Sequence, residues 1–179
     1  MSRLKAMAED RFSSVLLFTL VIWLLSGCAP PSTSGNVAGT VVRVLDGDSL
    51  VVATARGEKL EVRLGEIDAP EKHQPHSNIA RKVLTDLALG ETVEISVLEI
   101  DQYGRLVGRV YRANDELSLN QLLVREGHAW VYRRYARDDS LLGLEEEAKR
   151  QQRGLWALPS DEIVPPWQWR RTHSNVTRQ

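Results

Sequence analysis

Five short stretches of this chain have strand periodicity, and helical periodicity appears only after the third of them and again after the fifth. Residues 38–45 are β-branched and apolar, and Asp46-Gly47-Asp48 breaks them with turn chemistry. Residues 50–55 form a second stretch, ended by a tight turn at Arg56-Gly57. Leu60, Val62 and Leu64 alternate on the third, which sends Glu61 and Arg63 to the opposite face. Val93, Ile95 and Val97 mark the fourth; residues 106–111 form the fifth, opened by Arg105 after a turn at Tyr103-Gly104. Between them Ser77 is placed to cap a helix whose stripe is Ile79, Ala80, Val83, Leu84, Leu87 and Ala88, with Gly90 as its stop. Residues 118–121 have the capping-box pattern ahead of Leu119, Leu122 and Leu123, and Gly127 ends that helix. A charged third helix is predicted over 139–152, with Glu145/Lys149 and Glu146/Arg150 at i,i+4. This order does not support a sheet alternating regularly with helices. It predicts a β-barrel with helices (α+β): a small closed barrel of five strands carrying about three helices.

A chain of 179 residues with 42% hydrophobic content supports one domain with a true core. The formal net charge of -1 supplies no global field for nucleic acid, so any such binding must rest on local positive charge. The first 27 residues are expected to lie outside the fold. Arg3, Lys5 and Arg11 precede the apolar run 15–25, which is too short for an ordinary spanning helix but suits a signal peptide. Leu25-Ser26-Gly27-Cys28-Ala29 resembles the bacterial lipobox, in which the chain is cut before the cysteine and the thiol is lipidated. Cys28 is the only cysteine, so no intrachain disulfide forms. An uncleaved anchor and a plain signal peptide are the alternatives. The expected organisation is a signal peptide over 1–27, a lipidated Cys28 with a flexible tether to residue 37, a domain over 38–157 and a Trp/Arg-rich tail over 158–179.

Chemistry-bearing residues gather at the strand ends and turns. Asp48, Asp68 and Glu71 offer hard oxygen ligands of the kind divalent cations take. Arg63 and Arg105 offer planar forks that suit phosphate. A phosphodiester under attack gains negative charge on its oxygens, and guanidinium groups with a cation meet that charge. Taken singly, each of these residues also suits an ordinary solvated turn or strand face.

Four segments taken together are more specific: Val44-Leu45-Asp46-Gly47-Asp48-Ser49, Arg63-Leu64-Gly65-Glu66-Ile67-Asp68-Ala69-Pro70-Glu71, Asp101-Gln102-Tyr103-Gly104-Arg105 and Leu123-Val124-Arg125-Glu126-Gly127. In order and separation they resemble the staphylococcal nuclease (thermonuclease) family. The resemblance implies an OB-fold barrel and calcium-dependent cleavage of DNA and RNA, single- or double-stranded, leaving 3′-phosphates. It implies Asp48, Asp68 and the backbone carbonyl of Ala69 as calcium ligands, Ala69 standing where threonine is common. It implies Glu71 as the group that positions or deprotonates water, with Arg63 and Arg105 as the phosphate clamp. Tyr132 and Tyr135 lie where the family has aromatic residues near the bound base, beside Arg133, Arg134 and Arg137; a basic loop with one packed tyrosine is the alternative. His73 and His76, with Pro75 between them, suit a loop better than a metal site, and His128 suits packing. In the tail, Trp167 and Trp169 with Arg170 and Arg171 either pin the tail to the domain or contact nucleic acid. A monomer held at a bacterial membrane outside the cytoplasm by a lipid on Cys28 is expected. A catalytically silent OB-fold binding module, a lipoprotein domain for protein or envelope partners, and a magnesium enzyme are the competing readings.

Overall fold

The computed structural model describes residues 35–173. The expected signal peptide over 1–27, Cys28, most of the expected tether and the last six residues of the tail lie outside the described residues. Five strands close a barrel: β1 (Asn36–Val44), β2 (Ser49–Ala53), β3 (Lys59–Leu64), β5 (Thr92–Ile100) and β6 (Leu106–Arg112). Their order around it is β1-β2-β3-β6-β5, with β5 returning to β1. Every pairing is antiparallel except β3 with β6, which run parallel with Arg63 opposite Val107. The alternation seen in the sequence is the alternation of burial. Val62 and Leu64 are fully buried, with Arg63 between them directed outward, and Val93, Ile95 and Val110 fill the barrel with Leu50 and Val52.

Helices cover the barrel: α1 (Ser77–Ala88), α2 (Leu119–Arg125), α3 (Ser140–Arg150) and α4 (Pro166–His173). A short 3-10 turn follows α3 at Gly154–Ala157. α2 begins with the full capping box: Gln121 N–H donates to the Ser118 hydroxyl, and Ser118 N–H donates back to Gln121 Oε1. The buried Asn120 of α2 ties the barrel together, donating to the carbonyls of Gly65 and Gly108 and accepting from Val110 N–H. Outside the barrel a two-stranded antiparallel ladder joins β4 (Ile67–Asp68) to β7 (Trp130–Val131), with Asp68 opposite Trp130.

The closed five-stranded barrel with helices is what the periodicity predicts, but four details differ. β1 begins at Asn36, so Asn36 and Val37, read as tether, pair with Ser96 and Ile95. The cap of α1 is His76, at φ 71, and Ser77 is the first helical residue without a side-chain cap bond. A turn sets this start: Ser77 N–H bonds to Gln74 O, and Ala80 N–H takes the His76 carbonyl as the first helical acceptor. Arg150 pairs with Glu147 rather than Glu146. The tail, finally, contains α4, so the described residues hold four helices instead of three.

Candidate active site

The β1–β2 turn is built to deliver Asp48. Asp46 Oδ1 accepts the N–H of Asp48 at 3.0 Å, an Asx-turn, while the N–H of Leu45 reaches Ser49 O. Gly47 packs so closely that a Cβ there would lie 2.7 Å from the Ala69 methyl and 3.0 Å from that of Ala80. This contact seats the turn on the segment after β4. Asp48 and Asp68 are therefore both buried, at 5% and 1% exposure.

Buried carboxylates need partners. Asp48 Oδ2 accepts the N–H of Ala69 at 2.9 Å, and Oδ1 accepts the Ser49 hydroxyl at 3.0 Å. Arg63, leaving β3 on the polar side, lies between the two acids: Nη1 is 2.7 Å from Asp48 Oδ1 and Nη2 is 3.1 Å from Asp68 Oδ1. Burial alone would lower the Arg63 pKa, but the charges of Asp48 and Asp68 outweigh it and raise it further. Burial, aided by the Asp48 charge, pushes Asp46 up to about 6.

Glu71 follows Pro70 and is half-buried, its N–H held by Gln74 Oε1 at 2.9 Å. The residue that joins Glu71 to Asp68 is one the sequence did not assign to the site. Arg170 of α4 places Nη2 2.8 Å from Asp68 Oδ2 and Nη1 3.2 Å from Asp68 Oδ1, and Nη1 also bonds to Glu71 Oε1. Hydrogen bonding to Asp68 raises the Arg170 pKa against the opposing effect of burial.

Arg105 does not join this cluster. Its Nε bonds to Asp101 Oδ2 at 2.8 Å, its backbone N–H to Asp101 Oδ1, and its guanidinium lies 5.6 Å from the Tyr103 ring centre. It stands just before β6, the parallel neighbour of the strand that carries Arg63.

Tyr132 and Tyr135 follow β7, whose pairing with β4 sets Trp130 opposite Asp68. Tyr135 is exposed and meets Tyr132 edge-on. Trp167 of α4 stacks on Tyr132, centroids 5.4 Å apart and 5° from parallel, and meets Trp130 edge-on at 5.9 Å. Trp167 thus pins the tail, as one of its two readings holds. Trp169 stacks on His173 within α4. His73 is exposed, and His76 turns to His128 instead, Nε2 to Nδ1 at 2.9 Å with the rings stacked. Among the described residues no three His, Cys, Asp or Glu side chains converge as a metal cage. A cation here would rest on the carboxylates of Asp48 and Asp68 with backbone oxygen and water. That is a donor set calcium accepts, and guanidinium cations already occupy it.

The family model described as staphylococcal nuclease homologue matches residues 61–158. The chain belongs to the staphylococcal nuclease family. The span matched to this family contains Arg63, Asp68, Ala69, Glu71, Arg105, Tyr132 and Tyr135; Asp48 precedes it and Arg170 follows it. Among relatives, the chain is 42% identical over 151 residues to a protein of Escherichia coli O157:H7 named uncharacterized endonuclease, covering 84% of this chain and 94% of the relative. It is 40% identical over 148 residues to a protein of Shigella flexneri named micrococcal nuclease, covering 78% and 83%. It is 35% identical over 159 residues to a Haemophilus influenzae protein named uncharacterized endonuclease, covering 89% and 83%.

Proposed function

We propose that this protein is an endonuclease that hydrolyses phosphodiester bonds of DNA and RNA with calcium, leaving 3′-phosphates. The observation that carries the reading is Arg63 held between the buried Asp48 and Asp68. Two buried carboxylates converging on one point form an oxygen site that suits a divalent ion, and Arg63 stands beside it to receive a phosphate. The names of the nuclease relatives support the enzyme class.

In this reading Asp48, Asp68 and the Ala69 carbonyl hold the ion. Polarisation of a phosphoryl oxygen is the chemistry that bound calcium supplies. Glu71, half-buried and fixed by Gln74, orients the attacking water and takes its proton. Arg63 neutralises charge that grows on the phosphate oxygens. Arg105 completes the clamp by exchanging Asp101 for phosphate. Tyr132 and Tyr135 offer ring surface to a base. Lipidation at Cys28 would hold the enzyme at a bacterial membrane outside the cytoplasm as a monomer, with residues 1–27 removed.

Cleavage of single-stranded DNA by the purified protein, in calcium, in magnesium and in chelator, tests this reading. Calcium-dependent cleavage that disappears in Glu71→Gln supports it. A folded protein that binds the strand but cleaves it under no condition is a binding module instead.

A further inference from the structure

Arg170 lies 102 residues from Asp68 and 99 from Glu71 in sequence, yet its guanidinium contacts both. The helix that brings it there is fixed independently of that contact. Pro166 is buried, Trp167 stacks on Tyr132 and meets Trp130, and the carbonyl of Val164 accepts from the Nε2 of buried Gln74 at 2.6 Å. Trp167 and Arg170 are three residues apart, so they share one face of α4. The anchored ring therefore sets the reach of the guanidinium. The Arg170 side chain is still 41% exposed, which leaves it room to change partners without moving the helix.

Charge shows which partner it would take. Asp48, Asp68 and Glu71 are balanced in part by Arg63 and Arg170, while Arg105 is neutralised by Asp101. A divalent cation on Asp48 and Asp68 would leave this group with one net positive charge. One phosphodiester anion would return it to neutrality. Once the Asp68 oxygens serve a cation, Arg170 loses its two-pronged carboxylate, and a phosphate offers the same planar pair of oxygens.

We propose that Arg170 is a substrate-binding residue of the active site: a further phosphate-contacting guanidinium, delivered by α4 and held in place by Trp167. This rests on the nuclease reading above and adds a residue from beyond the family-matched span.

The test measures binding of a fluorescein-labelled single-stranded oligonucleotide in calcium, across a salt series. It uses full-length Glu71→Gln protein, alone and combined with Arg170→Ala or Arg170→Lys. Thermal melts check that each variant folds. A lost phosphate contact should weaken binding about tenfold and reduce the slope of log affinity against log salt by about 0.7. A purely structural role would not move that slope. Arg170→Lys should keep the slope and recover only part of the affinity, because an ammonium contacts phosphate as a point charge. It also carries the test if Arg170→Ala does not fold. Unchanged affinity and slope in both variants overturn the proposal. So does tighter binding by Arg170→Ala with faster cleavage in the otherwise native protein, which would make α4 a plug. Native protein that cleaves while Arg170→Ala matches it overturns this assignment alone. Native protein that binds but never cleaves overturns the nuclease reading alone, and a tenfold weaker affinity with the lower slope in Arg170→Ala would then still support the phosphate contact.

Discussion

Arg109 grips the buried carboxylate of Glu66 with both prongs, Nε on Oε2 and Nη2 on Oε1. Glu66 is 5% exposed and also accepts the N–H groups of Arg137 and Asp138. Its backbone carbonyl takes the N–H of Tyr132. One residue between β3 and β4 thereby fixes the whole loop that carries Tyr132 and Tyr135. Burial alone would raise the Glu66 pKa, but the Arg109 bond and the two N–H donors lower it.

Removing Arg109 leaves Glu66 buried beside N–H donors but without a counter-ion. Arg109→Ala is expected to cost on the order of 3 kcal/mol in chemical unfolding. The loss should be accompanied by greater proteolytic access to residues 132–138. A cost below about 1 kcal/mol would show the pair to be no more than a surface ion pair.

Arg63→Ala leaves Asp48 and Asp68 facing each other with Arg170 as the remaining cation. The metal-free protein should lose about 3 kcal/mol of stability. Calcium should then raise the melting temperature of Arg63→Ala more than that of the native protein, because the ion supplies the missing positive charge. Equal calcium shifts in the two proteins would count against Asp48 and Asp68 as ligands.

Glu71→Gln and Arg105→Ala should each slow cleavage by at least about 10²-fold, the scale for losing one charge-stabilising or proton-transferring group. Single-turnover kinetics with saturating protein would read the chemical step. Near-native rates in both, from folded protein, would reject the assignment of these two residues.

The His76–His128 pair predicts a pH dependence of stability. Burial first, and the nearby His128 second, depress His76 to about 4 from its usual 6.5. The unfolded chain then binds this proton more readily than the folded one. Its contribution is intact above 6.5 and is lost as pH falls toward 4. Asp46 has the opposite sign: raised to about 6, it contributes most at low pH and loses that contribution as pH rises through 6. The difference between native protein and His76→Asn removes the Asp46 part. Native protein should lose melting temperature more steeply than His76→Asn on acidification across this window, and parallel curves would show that His76 does not titrate there.

Local signals in the sequence translated well into structure. The alternation of Leu60, Val62 and Leu64 identified both the core face and the outward direction of Arg63, and the residues at 118–121 announced their own capping box. The start of α1 failed because a reverse turn through Gln74, with a left-handed His76, decides it, and neither residue type signals such a turn. The acids were legible as a set because they fall within one short stretch of turns. Arg170 was not: its partners are some hundred residues away, and nothing local to Trp167 or Arg170 specifies which carboxylate the helix will meet. Glu66 was hidden for the same reason, since Arg109 lies 43 residues on.

β1 changes partner part-way along its length. Residues 36–40 pair with β5, and residues 40–44 pair with β2, with a register shift between Val41 and Arg43. The first five residues of this strand are therefore the seam that shuts the barrel. Proteolysis just ahead of Asn36 would shed everything upstream and spare every hydrogen bond of the seam. Proteolysis after Thr40 would strip β5 of its neighbour and expose a raw edge, the kind of surface on which another chain can nucleate. A closed barrel and one with an exposed edge are thus separated by the length of one half-strand.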